Sequence, residues 1–132
     1  MEDLFIADHT TDYLRVWKDA LIDSVRSARP DLTNRHMAVL MIVYLEAGPH
    51  TVRGLARRIG VAKPVITRAL NTLAAHGFVR RKTDMSDRRN LFVQRTVAGA
   101  VFLSEIGESI AARAGYYERV GTAGADSASA AA

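Results

Sequence analysis

The sequence predicts a mainly α-helical fold carrying one small β-hairpin. Two observations lead there: apolar residues recur at spacings of three and four over most of the chain, and between Phe78 and Arg95 that period changes to two. With 132 residues, 48% apolar and 24% charged, the chain has the balance of one ordinary globular domain. The first helix is expected from about Thr11 to Ala28, on the stripe Leu14, Trp17, Leu21 and Val25, with Pro30 turning Arg29 away from helix. A second follows, capped by Thr33, with Leu32 and Met37 at the positions of a hydrophobic staple. Its apolar face is Met37, Leu40, Met41, Tyr44 and Leu45, and Gly48-Pro49 stops it. Thr51 caps a short third helix with Leu55, Ala56 and Ile59, ended by Gly60. The fourth opens near Lys63-Pro64, where a proline is tolerated in the first turn, and ends at Gly77. Phe78 to Lys82 and Leu91 to Arg95 read as antiparallel strands joined by the polar loop Thr83 to Asn90. A last helix starts at Thr96 and carries Leu103, Ile106, Ile110 and Tyr117. Gly121 to Ala132, rich in Ala, Ser and Gly, reads as a disordered tail.

Composition narrows the function classes. The chain has no cysteine, which excludes disulfides, thiolate nucleophiles and Cys-ligated zinc. No apolar run reaches the ~18 residues of a membrane span, and Met-Glu-Asp begins no secretory signal. A cytoplasmic, nucleoid-associated protein with no membrane partner is expected. The net charge of +4 is unevenly spread. From Arg53 to Arg95 stand 11 Lys or Arg and 2 acids, a local +9, which leaves −5 for the rest. Such a dipole favours a polyanion at the basic part, although a solvated basic face has the same charge.

Two helices joined by a tight turn through Gly60 match a helix-turn-helix. On a helical wheel Ile66, Ala69, Leu70 and Leu73 share the inner side of the fourth helix, and Pro64, Thr67, Arg68, Asn71 and Ala75 the outer. Arg suits guanine O6 and N7, Asn suits adenine, and Thr suits a phosphate or a thymine methyl. The plainer alternative is a surface helix that happens to carry one Arg and one Asn. In the loop, Arg88 and Arg89 at a hairpin tip suit a minor groove, and Asp84 or Asp87 can accept from a guanidinium and aim it. A polar loop held by its own Asp–Arg contacts is the alternative there. The expected DNA-binding residues are therefore Lys63, Pro64, Thr67, Arg68, Asn71, Arg88 and Arg89, with Asp84 and Asp87 orienting the wing.

The run Leu55-Ala56, Ile66-Thr67-Arg68, Leu73, Gly77-Phe78-Val79, Asp84-x-x-Asp87-Arg88-Arg89, Val93 and Thr96-x-x-Gly99 resembles the MarR family, over about half the chain from Leu32 to Gly99. The resemblance implies a winged helix-turn-helix transcriptional regulator, expected to be a repressor. It implies a homodimer on a pseudo-palindromic operator in double-stranded DNA, with helix 63–76 in the major groove and the wing, 83–90, in the minor groove. Three departures stand out. Ala62 occupies the place of a usual capping Ser, Arg95 that of a usual apolar residue, and one helix rather than two follows the wing. The expected layout is an N-terminal helix over 1–31, the DNA-binding domain over 32–95, a C-terminal helix over 96–120 and the tail over 121–132. The first and last helices are expected to pair the protomers, with Gly107, Ala111 and Gly115 allowing close approach; capping the monomer's own core is the alternative.

Relatives with an effector suggest a small-molecule site, for which Tyr13, Trp17, Met37, Met41 and Tyr44 are candidates, although such stripes commonly pack as core. The four histidines lack ligand spacing, so neither metal nor cofactor is expected. The competing reading is a winged-helix protein-interaction module that has lost specific DNA binding. An enzyme is not expected: there is no phosphate loop or nucleophile–histidine motif, and Asp84 and Asp87 share their loop with two arginines that keep them ionised.

Overall fold

The computed structural model describes residue 6 and residues 8–131, the side chains of residues 9 and 122–131 excepted. Its elements are α1 (Asp8–Arg26), α2 (Asn34–Leu45), β1 (His50–Thr51), α3 (Val52–Ile59), α4 (Lys63–Ala75), β2 (Val79–Thr83), β3 (Leu91–Arg95) and α5 (Val97–Ala131). The fold is mainly helical with a small antiparallel sheet, as the periodicities predict. The chain divides into two compact units, one running from Pro30 to Ser104, the other holding α1 and the part of α5 from Glu105 onward.

The central unit is built on local signals that can be traced one by one. Thr33 caps α2, its hydroxyl accepting from the His36 N–H at 3.2 Å, while His36 Nδ1 accepts from the Thr33 N–H at 3.4 Å. Thr51 caps α3 by accepting from Gly54 N–H at 3.0 Å. Gly60 then ends α3 at φ 81°, a left-handed conformation that other residues adopt only with strain, and so makes the turn into α4. The core gathers Val39, Leu40 and Val43 of α2, Leu55 and Ala56 of α3 and Ile66, Ala69, Leu70 and Leu73 of α4, all buried. Each large side chain among them contributes about 1.5–3 kcal/mol by leaving water. Phe78, Val79, Val93 and Phe102 close it from the sheet side, Phe78 stacking on Phe102 at 4.3 Å between centroids.

The sheet order is β1-β3-β2, with Val79 opposite Arg95 and Thr83 opposite Leu91. The sequence leads one to expect two strands; the third, β1, pairs only His50 and Thr51 with Val93 and Phe92 and is too short to show a period. Phe78 precedes β2 rather than opening it, because its backbone is used elsewhere: its N–H donates to the Leu73 carbonyl at 2.9 Å and its carbonyl faces the Tyr44 hydroxyl at 2.8 Å.

A second cluster joins β2, β3, α2 and α5. The Tyr44 hydroxyl accepts from the Thr96 N–H at 2.7 Å, and the Phe78 and Thr96 carbonyls lie 2.8 and 2.9 Å away to take its proton. Thr96 Oγ1 donates to the Gly77 carbonyl at 2.7 Å and caps α5 by accepting from Gly99 N–H at 3.0 Å. Arg95 reaches back to the end of α2, donating from Nε to the Val43 carbonyl at 2.8 Å and from Nη2 to the Glu46 carbonyl at 3.3 Å. Carbonyls at a helix C-terminus lack intrahelical donors and carry partial negative charge, so a guanidinium fits there. This gives a physical reason for a cation where the resemblance leads one to expect an apolar residue.

In the other unit α1 and α5 are joined by polar contacts. Asp23 accepts from Arg113 Nη2 at 2.8 Å and from Ser109 Oγ at 2.8 Å, and Asp19 accepts from the Tyr117 hydroxyl. The apolar stripe of α1 is not buried there. Leu14, Trp17 and Leu21 are nearly half exposed and Val25 is 79% exposed; among the described residues of α1 only Ala20 is buried. α5 continues to Ala131, past the expected end at 120, as its alanines favour. Side chains from residue 122, on which the expected tail falls, lie outside the described residues. Among the described residues no helix is long and apolar enough to cross a membrane, and no group of three or more His, Cys, Asp or Glu is placed to hold a metal ion.

Candidate nucleic-acid interface

The sequence of α4 divides its two faces cleanly. Ile66, Ala69, Leu70 and Leu73 are buried, and Lys63, Pro64, Thr67, Arg68 and Asn71 are all exposed. The inner residues anchor the helix, so the outer ones stand on a rigid support. Ala62 precedes α4 and makes no side-chain cap, with proline in the first turn. Pro64 has no N–H to satisfy and the Val65 N–H donates to the Ala62 carbonyl at 3.0 Å, so the start of α4 meets an anion chiefly through the positive end of its dipole.

The loop between β2 and β3 is ordered by its own aspartates, in two different ways. Asp87 Oδ1 accepts from both the Arg89 N–H and Arg89 Nε, each at 3.1 Å, and so aims a side chain that is otherwise 87% exposed. Asp84 instead accepts from the Ser86 N–H at 2.9 Å and the Ser86 hydroxyl at 2.6 Å. These bonds, first of all the one from the Ser86 hydroxyl, hold its carboxyl below the ordinary carboxylate value. Backbone bonds from Asp84 N–H to the Asn90 carbonyl and from Asn90 N–H to the Asp87 carbonyl close the loop. Arg88 is exposed beside Arg89, and its guanidinium has no hydrogen bond or ion pair among the described residues.

Helix and wing meet in a cleft of about 180 Å³ lined by Val52, Arg53, Lys63, Thr67, Arg89, Asn90 and Leu91. Three cations from three elements thus face one concavity. Lys63, Thr67 and Arg89 were expected from sequence; Arg53 was not singled out, although it begins the basic stretch. Arg81 is another addition, donating from Nη1 to Asn71 Oδ1 at 2.6 Å. Contacts of that kind depend on how β2 is set against α4, which no local pattern records.

The candidate effector residues are not gathered in one unit. Tyr13 and Trp17 line a cavity of about 570 Å³ with Asp12, Val16, Ile110, Ala114, Tyr117 and Glu118. Met37, Met41 and Tyr44 belong to the central unit, and the Tyr44 hydroxyl is committed to the backbone of Phe78 and Thr96.

A helix pair with a tight glycine turn, a second helix with an exposed outer face and a basic hairpin beside it define a winged helix-turn-helix. Residues 32–91 match the model of the MarR family. Solved structures agree with that placement. The transcriptional regulator Tm0710 from Thermotoga maritima is 26% identical, with 87% of this chain and 72% of that one covered at a TM-score of 0.60. A MarR-family transcriptional regulator from Rhodococcus sp. RHA1 is 25% identical, with 83% and 71% covered at a TM-score of 0.58. Reduced AbfR, solved bound to DNA, shares the fold at 21% identity and a TM-score of 0.58, with 80% and 72% covered.

Proposed function

We propose that this chain is a sequence-specific double-stranded DNA-binding transcriptional regulator, acting as a repressor from the cytoplasm and nucleoid. α4 enters the major groove with Lys63, Pro64, Thr67, Arg68 and Asn71, and Arg88 and Arg89 enter the adjoining minor groove. The observation that carries this reading is the cleft where Arg53, Lys63 and Arg89 converge beside the exposed face of α4. Neutralising phosphates at such a site releases counterions, so binding falls steeply with salt. The fold shared with DNA-bound AbfR supports the same reading. Arg88→Ala and Arg89→Ala are each expected to weaken binding to a preferred duplex by about 1–3 kcal/mol in equilibrium titrations. Unchanged affinity in both variants contradicts the role given to the wing. Binding, rather than catalysis, is also what the loop chemistry favours, since Asp84 is held ionised by Ser86 and Asp87 is occupied by Arg89.

The regulator acts as a homodimer on a pseudo-palindromic operator. The support is the unburied stripe Leu14, Trp17, Leu21 and Val25 of α1, with Tyr116 and Val120 of α5 about half exposed in the same unit. Light scattering after size exclusion is expected to give twice the chain mass, and a monomer at tens of micromolar contradicts it. A small aromatic effector takes the cavity beside Tyr13 and Trp17. Its binding is read from Trp17 fluorescence, which stays unchanged if the cavity takes no ligand.

A further inference from the structure

Arg81 lies in the middle of β2, and its guanidinium donates to Asn71 on the outward face of α4 at 2.6 Å. A guanidinium has donors only, so the amide atom turned to it is necessarily oxygen. A hydrogen bond with one charged partner is of the stronger kind, and it links wing and reading helix side chain to side chain. The amide nitrogen, Nδ2, has no partner among the described residues, and Asn71 is exposed.

We infer that Arg81 is a positioning residue for base reading, holding Asn71 so that its amide presents donors to the major groove and selects guanine. Guanine O6 and N7 both accept, which matches an outward NH2 group. Adenine needs the amide oxygen to accept from its N6 amino group while the nitrogen donates to N7, and that oxygen is turned to Arg81. This rests on the proposed reading of α4 as the major-groove helix and adds which atoms do the reading. It also reverses the adenine preference expected for an unsupported asparagine.

The experiment selects duplexes from a random-sequence pool with the wild type, R81M, N71A and the double variant. Salt titrations on the wild type's preferred duplex follow. Both side chains are exposed, and thermal melts by circular dichroism check that each variant is folded. N71A and R81M are expected to erase a guanine preference at the same position, each weakening the preferred duplex about tenfold. The double variant is expected to bind within about twofold of N71A alone, as for coupled neighbours. Suppose instead that R81M weakens all sequences alike, lowers the salt slope by about one and adds in full to N71A. Arg81 is then a phosphate contact and the inference is overturned. Adenine at the position controlled by Asn71 overturns the donor assignment. A wild type that selects no sequence removes the reading of α4 itself, and the inference with it.

Discussion

At Gly99 an added Cβ would run into the Tyr44 hydroxyl and the Phe78 carbonyl, which together fix the start of α5 against the sheet. The Thr96-x-x-Gly99 pattern is visible in the sequence, but its cause is not, because the partner residue lies in α2. Gly99→Ala is expected to destabilise the fold by about 1–3 kcal/mol through forced displacement of Tyr44, measured by urea unfolding. Tyr44→Phe removes the hydroxyl and leaves the Thr96 N–H without its acceptor, with an expected loss of about 1–3 kcal/mol. Ala62 is the opposite case. Ala62→Ser supplies the cap that α4 lacks and is expected to stabilise the unit by about 0.5–2 kcal/mol in the same measurement. If A62S instead lowers the unfolding midpoint, the bond from the Val65 N–H to the Ala62 carbonyl already serves as the cap of α4.

For whole elements, α4 was the most legible in the sequence: the wheel separates Ile66, Ala69, Leu70 and Leu73 from the exposed residues as the structure does. Period and capping are local properties, and α4 obeys both. β1 escaped because two residues have no period, and for the stripe of α1 the sequence left pairing between protomers and capping of the monomer's own core as alternatives, because periodicity does not say what covers a face. In the wing, the sequence left open which aspartate aims which arginine. Asp87 holds Arg89, whereas Asp84 shapes the turn through Ser86. Asp87→Ala is therefore expected to weaken DNA binding by about 0.5–1.5 kcal/mol, the entropy of re-ordering one long side chain. Arg89→Ala should lose more. Titrations in which D87A matches or exceeds R89A would assign the carboxylate a role beyond aiming. At the other end of the sheet, Arg95→Leu strips the donors from the last carbonyls of α2, and a loss of about 1 kcal/mol is expected on unfolding.

At the scale of the whole molecule, one unit is strongly basic and the other is tied by carboxylates. The Tyr117 hydroxyl holds Asp19 below the ordinary carboxylate value of 3.8, and Arg113, then Ser109, do the same for Asp23. A depressed pKa in the folded state contributes stability that is complete above the unfolded value and is lost as pH falls through the folded one. The thermal midpoint is thus expected to drop below about pH 4, and the gap between wild type and Asp23→Asn to narrow there. A gap that is constant down to pH 2 would show that Asp23 does not act through its charge. The uneven charge of the chain was legible from composition alone, but not that Arg53, Lys63 and Arg89 converge on one cleft. That convergence is a property of the tertiary fold, and the proposed function depends on it. The most direct test is equilibrium binding of the purified chain to a duplex selected from a random pool and to a shuffled duplex, across a salt series. Tighter binding to the selected duplex, with log affinity falling steeply and linearly in log salt, is the predicted result. Equal affinity for the two duplexes, or binding insensitive to salt, would contradict it.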